Sequence, residues 1–119
     1  MQEYKLGMME TKFATLIWNN APIQSGALVK LCAKELAWKK STTYTMLRRL
    51  CERGIFQNIN GEVSALLSQE EVLALQSEQF VNETFGGSLP KFLAAFSTRS
   101  KFTQSELNAL ISIITQQQE

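Results

Sequence analysis

AWKKSTTYTMLRRLCERGIF, residues 37–56, is the stretch whose reading decides the fold. It opens on Lys39-Lys40, followed by Ser41, Thr42 and Thr43, whose hydroxyls can accept the unpaired N–H groups of a helix start. It closes at Gly54, the residue that most readily takes the left-handed conformation after a helix end. Thr43, Met46, Leu47 and Leu50 recur on one side at helical spacing. At about 100° per residue, the opposite side carries Ser41, Thr45, Arg48 and Glu52, flanked by Tyr44 and Arg49. A core-packed helix normally shows a Lys/Glu mixture on its outer side. Hydroxyls, a tyrosine and arginines are instead the groups that read base edges and grip phosphates. This stretch alone leaves two readings open: a nucleic-acid-reading helix, or an ordinary amphipathic helix with a solvated face.

Upstream, residues 1–7 read as a short lead-in. Met9, Phe13, Leu16 and Ile17 then recur at helical spacing and predict a first helix over residues 8–18, with Trp18 as a core plug at its end. Asn19-Asn20-Ala21-Pro22 breaks it, because a proline disfavours helical geometry in the residue before it. Ile23-Gln24 fits a very short strand and Ser25 suits an N-cap. Ala27, Leu28, Leu31, Cys32 and Leu36 form the face of a second helix ending near Ala37, with Cys32 a buried small apolar residue. Trp38 falls in the turn, where its ring can wedge two helices at a fixed angle. Helix two, short turn and helix three make a helix-turn-helix.

Downstream of Gly54 the pattern becomes extended, with Asn60-Gly61 between two short runs, the strongest local signal of a hairpin. Helix-turn-helix followed at once by a hairpin is the order of a winged helix. The wing carries Glu62 and no Lys or Arg, so it is expected to be a weak DNA contact. Ser68-Gln69-Glu70-Glu71 and Thr103-Gln104-Ser105-Glu106 are capping boxes opening two further helices. Between them Gly86-Gly87-Ser88 is a break and residues 89–96 a short apolar helix with Pro90 in its first turn. Residues 116–119 are expected to fray. The fold class is therefore mainly α: a winged helix-turn-helix over residues 1–67, then a helical dimerisation region over 68–119.

That second region is too small to bury its own apolar side chains well. Leu110, Ile111, Ile113 and Ile114 form a face wider than one neighbouring helix can cover. It fits either a satellite core packed on the wing or a dimer interface made across a two-fold axis, with Leu73, Phe80, Phe85, Leu107, Leu110, Ile111 and Ile114 as its contacts.

Composition narrows the function. A hydrophobic content of 45% supports a real core, while 19% charged residues is low for a monomer's surface, so some apolar surface is expected to meet a partner. The net charge of +1 conceals a basic half. Residues 1–56 hold nine Lys/Arg against four Glu, and residues 57–119 three against seven, as expected if one end meets a polyanion. The chain has no His and no Asp, which removes the commonest general base and metal ligand. Cys32 and Cys51 lack the spacing of a zinc site, and no P-loop or dinucleotide glycine pattern occurs. Neither an enzyme nor a cofactor is expected. With unpaired cysteines, no signal peptide and no apolar run of membrane-spanning length, the expected location is the cytoplasm, without a membrane partner.

Over residues 6 to about 114 the chain resembles the penicillinase-repressor (BlaI/MecI/CopY) family of bacterial transcriptional regulators. The resemblance rests on Leu16-Ile17-Trp18 at the end of the first helix and on Trp38, Ser41-Thr42-Thr43, Thr45-Met46-Leu47-Arg48-Arg49-Leu50 and Arg53-Gly54 in and around the third. It extends to Phe80-Val81-Asn82 and Gly86-Gly87. It implies a homodimeric winged-helix repressor on a near-palindromic, double-stranded operator, with Lys39, Lys40, Ser41, Thr42, Tyr44, Thr45, Arg48 and Arg49 at the DNA. It also implies an upstream sensor or protease acting at a carboxy-terminal Asn-Phe bond. The matching bond here is Ala95–Phe96, with Ala95 in place of the Asn. Copper-responsive relatives carry a Cys-x-Cys pair near the end, whereas this chain has no cysteine after Cys51. A winged-helix protein-interaction module that never touches DNA is the alternative.

Overall fold

The structure is a computed structural model that describes residues 3–117. Its elements run α1 (Met8–Asn20), β1 (Ile23–Gln24), α2 (Ser25–Leu36), α3 (Lys40–Glu52), β2 (Phe56–Ile59), β3 (Glu62–Ala65), α4 (Gln69–Phe85), α5 (Leu89–Ser97) and α6 (Gln104–Gln116). The chain divides into two compact units, Met1–Gln79 and Phe80–Glu119.

In the first unit, the order helix-turn-helix then hairpin is the one the sequence predicts. The strands form one antiparallel sheet in the order β1-β3-β2, with Ile23 opposite Val63 and Phe56 opposite Ala65. Asn60 and Gly61 both take positive φ, 51° and 87°, which is the turn that matches the twist of a two-residue hairpin. The short strand at Ile23-Gln24 completes the sheet by pairing with β3.

The core draws on all three helices of the helix-turn-helix and on the hairpin, with Val72 of α4 buried and Ile23 of β1 packed against it. Phe13, Ala14 and Ile17 of α1 are buried with Leu28 and Cys32 of α2, Leu47 and Leu50 of α3, and Ile55, Phe56 and Val63 at the hairpin. Trp38 packs its ring 5.1 Å from that of Phe13, and Trp18 lies 5.3 Å from Phe56 while its Nε1 donates to the Leu67 carbonyl at 2.9 Å. Both indoles thus cross between elements, and Trp18 also satisfies its one polar atom.

The structure differs from the sequence reading at two local points. Lys39, not a hydroxyl, is the N-cap residue of α3, and no side chain caps that helix. Thr43 points inward, as its side of the helix predicts, and donates back to the Lys39 carbonyl at 3.2 Å. Ser25 is the first residue of α2 rather than its cap, because its N–H is drawn into a 2.7 Å bond to the Gly61 carbonyl. The first compact unit includes the amino-terminal part of α4, to Gln79. Val72 is buried in its core, and the backbone of Tyr4 is held at both ends, by Gln76 to its carbonyl at 2.8 Å and by Gln79 to its N–H at 3.1 Å. The segment before α1 is therefore tied down, with Tyr4 and Leu6 packed on the core; residues 1–2 lie outside the described residues.

In the second unit the local signals hold. Gly86 and Gly87, at φ 59° and 82°, end α4, and Ser88 Oγ accepts from the Lys91 N–H at 3.2 Å at the start of α5. Thr103 and Glu106 cap α6 reciprocally at 3.1 and 2.8 Å, as Ser68 and Glu71 cap α4 at 3.1 and 2.9 Å. Phe80, Phe85, Phe92, Phe96 and Phe102 form a run of ring contacts with centroids 5.5 to 6.0 Å apart. Yet none of the described residues from Phe80 onward is buried. Gln116 closes α6 with Gln117 as a turn after it, while residues 118–119 lie outside the described residues.

Candidate nucleic-acid interface

The amphipathic split of α3 sets the site. Thr43, Leu47 and Leu50 are buried and Met46 half-buried, which turns Ser41, Thr42, Thr45, Arg48, Arg49 and Glu52 outward. Lys39 and Lys40 are exposed at the amino end of the same helix. The far end is fastened by a Schellman motif: the Gly54 N–H bonds to the Cys51 carbonyl at 3.0 Å and the Ile55 N–H to the Leu50 carbonyl at 3.1 Å, with Gly54 at φ 76°. The helix is thereby fixed in length and rotation, with its hydroxyl and cationic side facing solvent.

Two shallow grooves flank that side. One, of about 260 Å³, is lined by Ser41, Thr42, Thr45, Met46 and Arg49; the other, of about 300 Å³, by Tyr44, Leu47, Arg48, Cys51 and Asn58. Among the described residues the ion pair is Arg53 to Glu10 at 3.6 Å, so Lys39, Lys40, Arg48 and Arg49 have no carboxylate partner. Arg53 also donates to the Lys5 carbonyl at 3.0 Å and so serves the fold. The amino end of α3 adds backbone N–H groups uncapped by any side chain, with the positive end of the helix dipole behind them. Cation, hydroxyl and helix dipole converge on one exposed surface, an arrangement suited to a polyanion. Burial pushes the Cys32 and Cys51 thiols up from their ordinary value, and the Glu52 charge raises Cys51 further.

The structure brings all eight predicted DNA-facing residues onto or beside this surface, but Tyr44 differs from the rest. Its ring is half-buried and its hydroxyl donates to Ser25 Oγ at 3.0 Å, bracing α3 against the start of α2. Ser25 is thus a positioning residue that sequence reading missed, since no local signal links positions nineteen apart. The predicted dimer contacts are placed differently. Leu73 and Phe80 are 55% and 49% exposed, Ile111 and Ile114 61% and 50%. Phe85 and Leu110 are half-buried, and Leu110 lines an apolar groove of about 360 Å³ with Phe92, Phe96, Phe102 and Ile113. Leu107, Ile111 and Ile114 lie outside that groove, so α6 offers a second apolar side. Ala95 and Phe96 are exposed within the last turns of α5, where the Ala95 carbonyl accepts from Thr98 Oγ1 at 2.8 Å.

The family model described as Penicillinase repressor matches residues 6–116, spanning both units. The chain belongs to the penicillinase repressor family. A Penicillinase repressor of Bacillus licheniformis is 24% identical over 109 residues, covering 88% of this chain and 85% of its own. The family is one of DNA-binding transcriptional repressors and not of enzymes, in keeping with the winged helix described above. Among the described residues no helix is long and apolar enough to cross a membrane.

Within this family member, Tyr44→Phe removes the bond to Ser25 while keeping the ring. We expect a loss of about 1 kcal/mol in unfolding free energy, read by urea titration, with Ser25→Ala costing a similar amount and the double variant no more than either alone. Additive losses in that cycle would show that the two hydroxyls do not act as a pair.

Proposed function

We propose that this penicillinase repressor family member acts as a homodimer on a near-palindromic operator in the cytoplasm, without a cofactor, each protomer laying α3 into the major groove of one half-site. The observation that carries the reading is the exposed side of α3, where four cations without a carboxylate partner accompany Ser41, Thr42 and Thr45. Lys39 and Lys40 steer the approach and hold phosphates at the helix start. Ser41, Thr42 and Thr45 face bases and near phosphates, Arg48 lies nearest the outward direction and reads a base, and Arg49 anchors the backbone. Tyr44 contributes its ring edge and the bracing of the helix. Dimerisation is supported by the second unit, whose described residues include no buried side chain although its apolar content is high.

The test is a pair of substitutions measured by fluorescence anisotropy over a salt series, on an operator selected from a random pool. Arg48→Ala is expected to cost about 1–3 kcal/mol and to relax preference at one base position. Lys40→Ala is expected to weaken all sequences alike and to flatten the slope of log affinity against log salt by about one. Affinity unchanged in both variants at low and high salt would remove α3 as the reading element and favour a protein-interaction module.

A further inference from the structure

The wing carries no cation, and on charge alone it contributes little to DNA binding. Its geometry says otherwise for one residue. In β2, Phe56 and Asn58 share a face, and Asn58 is paired in register with buried Val63. Phe56 is buried, whereas Asn58, two residues further out, is exposed. Asn58 thus continues the inner face of the hairpin beyond the edge of the core. There it lines the groove of about 300 Å³ that it shares with Tyr44, Leu47, Arg48 and Cys51 of α3.

Gln57, on the other face, donates its amide to Ser64 Oγ at 3.1 Å. Among the described residues no hydrogen bond reaches the Asn58 side chain, and the groove lining contains no carboxylate. Its wall is therefore one guanidinium, one free primary amide and otherwise uncharged groups. An amide N–H₂ beside an unpaired guanidinium offers donors to an oxyanion without adding charge.

We propose that this groove seats a backbone phosphate of the operator, with Asn58 as an uncharged donor supplied by the wing and the Arg48 charge beside it. The inference rests on α3 being the DNA-facing helix. Given that, the phosphates bordering the occupied major groove are the anions that a strand next to α3 meets. The wing then adds affinity by hydrogen bonding and adds nothing to the salt dependence, unlike Lys40. It holds a phosphate in place and reads no base itself.

The experiment uses the full chain on a duplex selected from a random pool and on an unrelated duplex of equal length. Asn58→Ala should weaken binding to both duplexes by about tenfold, the worth of one hydrogen bond to a charged group, with the salt slope unchanged. Asn58→Asp, which keeps the shape but places an anion in the groove, should weaken binding more than Asn58→Ala, and Asn58→Lys should steepen the salt slope by about one. Phosphate-ethylation interference should show one phosphate per half-site whose modification blocks the wild-type protein and no longer matters to Asn58→Ala. Melting temperatures should stay unchanged, because the side chain is exposed and bonds to nothing in the protein. Equal affinities for wild type, Asn58→Ala and Asn58→Asp, with Arg48→Ala still impaired, would overturn the seat and leave α3 as the reader. A loss confined to one base position would overturn the phosphate assignment. Failure of Arg48→Ala to weaken binding would instead strike the DNA-facing role of α3.

Discussion

Insertion of about five base pairs, half a helical turn, between the operator half-sites is expected to weaken binding of the full protein by roughly 10²–10⁴-fold. The factor is the gain from joining two modules, and it is lost when the second half-site is rotated to the far side of the duplex. A fragment of the first unit should show no such gain and should bind the native and respaced operators alike, weakly and with the same base preference. That fragment must end at Gln79. Stopping at Leu67 removes Val72 from the core and both bonds to the backbone of Tyr4, so its weak binding would report partial unfolding. A mobility-shift comparison of whole protein and fragment on both operators is the measurement. Equal binding of the whole protein at both spacings would end the dimeric mechanism.

The second large effect concerns the apolar side of α6. Ile111→Glu combined with Ile114→Glu is expected to convert the protein to monomers and to reduce operator affinity by the same factor of roughly 10²–10⁴. Both side chains are at least half exposed in the protomer, so the charges meet water there and fold stability should change by only about 0.5 kcal/mol per site. In a dimer they would be buried unpaired, which an apolar interface does not tolerate. Sedimentation and thermal melts of the same samples separate the outcomes. A variant that melts early has lost its fold. A wild-type protein already monomeric at concentrations on the order of tens of micromolar leaves no interface to break.

These expectations draw on features with different visibility in the sequence. The elements of both units were legible because their signals are local. Asn60-Gly61 demands positive φ at adjacent positions, Gly54 ends α3, and Ser68 with Glu71 and Thr103 with Glu106 close reciprocal bonds three residues apart. The exposed side of α3 was legible for the same reason, since helical periodicity assigns each residue a direction once the buried side is known. The hydroxyls at the start of that helix were misread as caps. All three lie inside α3, whose N-cap is Lys39; Thr43 is buried, as its place on the apolar side predicts, while Ser41 and Thr42 are exposed.

What the tertiary structure alone decided are pairings between residues distant in sequence. The Tyr44–Ser25 bond spans 19 positions, the Trp18 bond to Leu67 spans 49, and Gln76 reaches Tyr4 across 72. Such bonds depend on how whole elements pack, and no residue pattern encodes their partner. The same holds for Asn58, an ordinary polar strand residue until the hairpin brings it to the groove beside Arg48. By itself the sequence determined the elements, their order and the chemistry of the α3 surface, because periodicity, capping and turn geometry act over a few residues. The reach of the first unit to Gln79, the bracing of α3 and the wing's place beside it came from tertiary packing, which brings together side chains that no local rule connects.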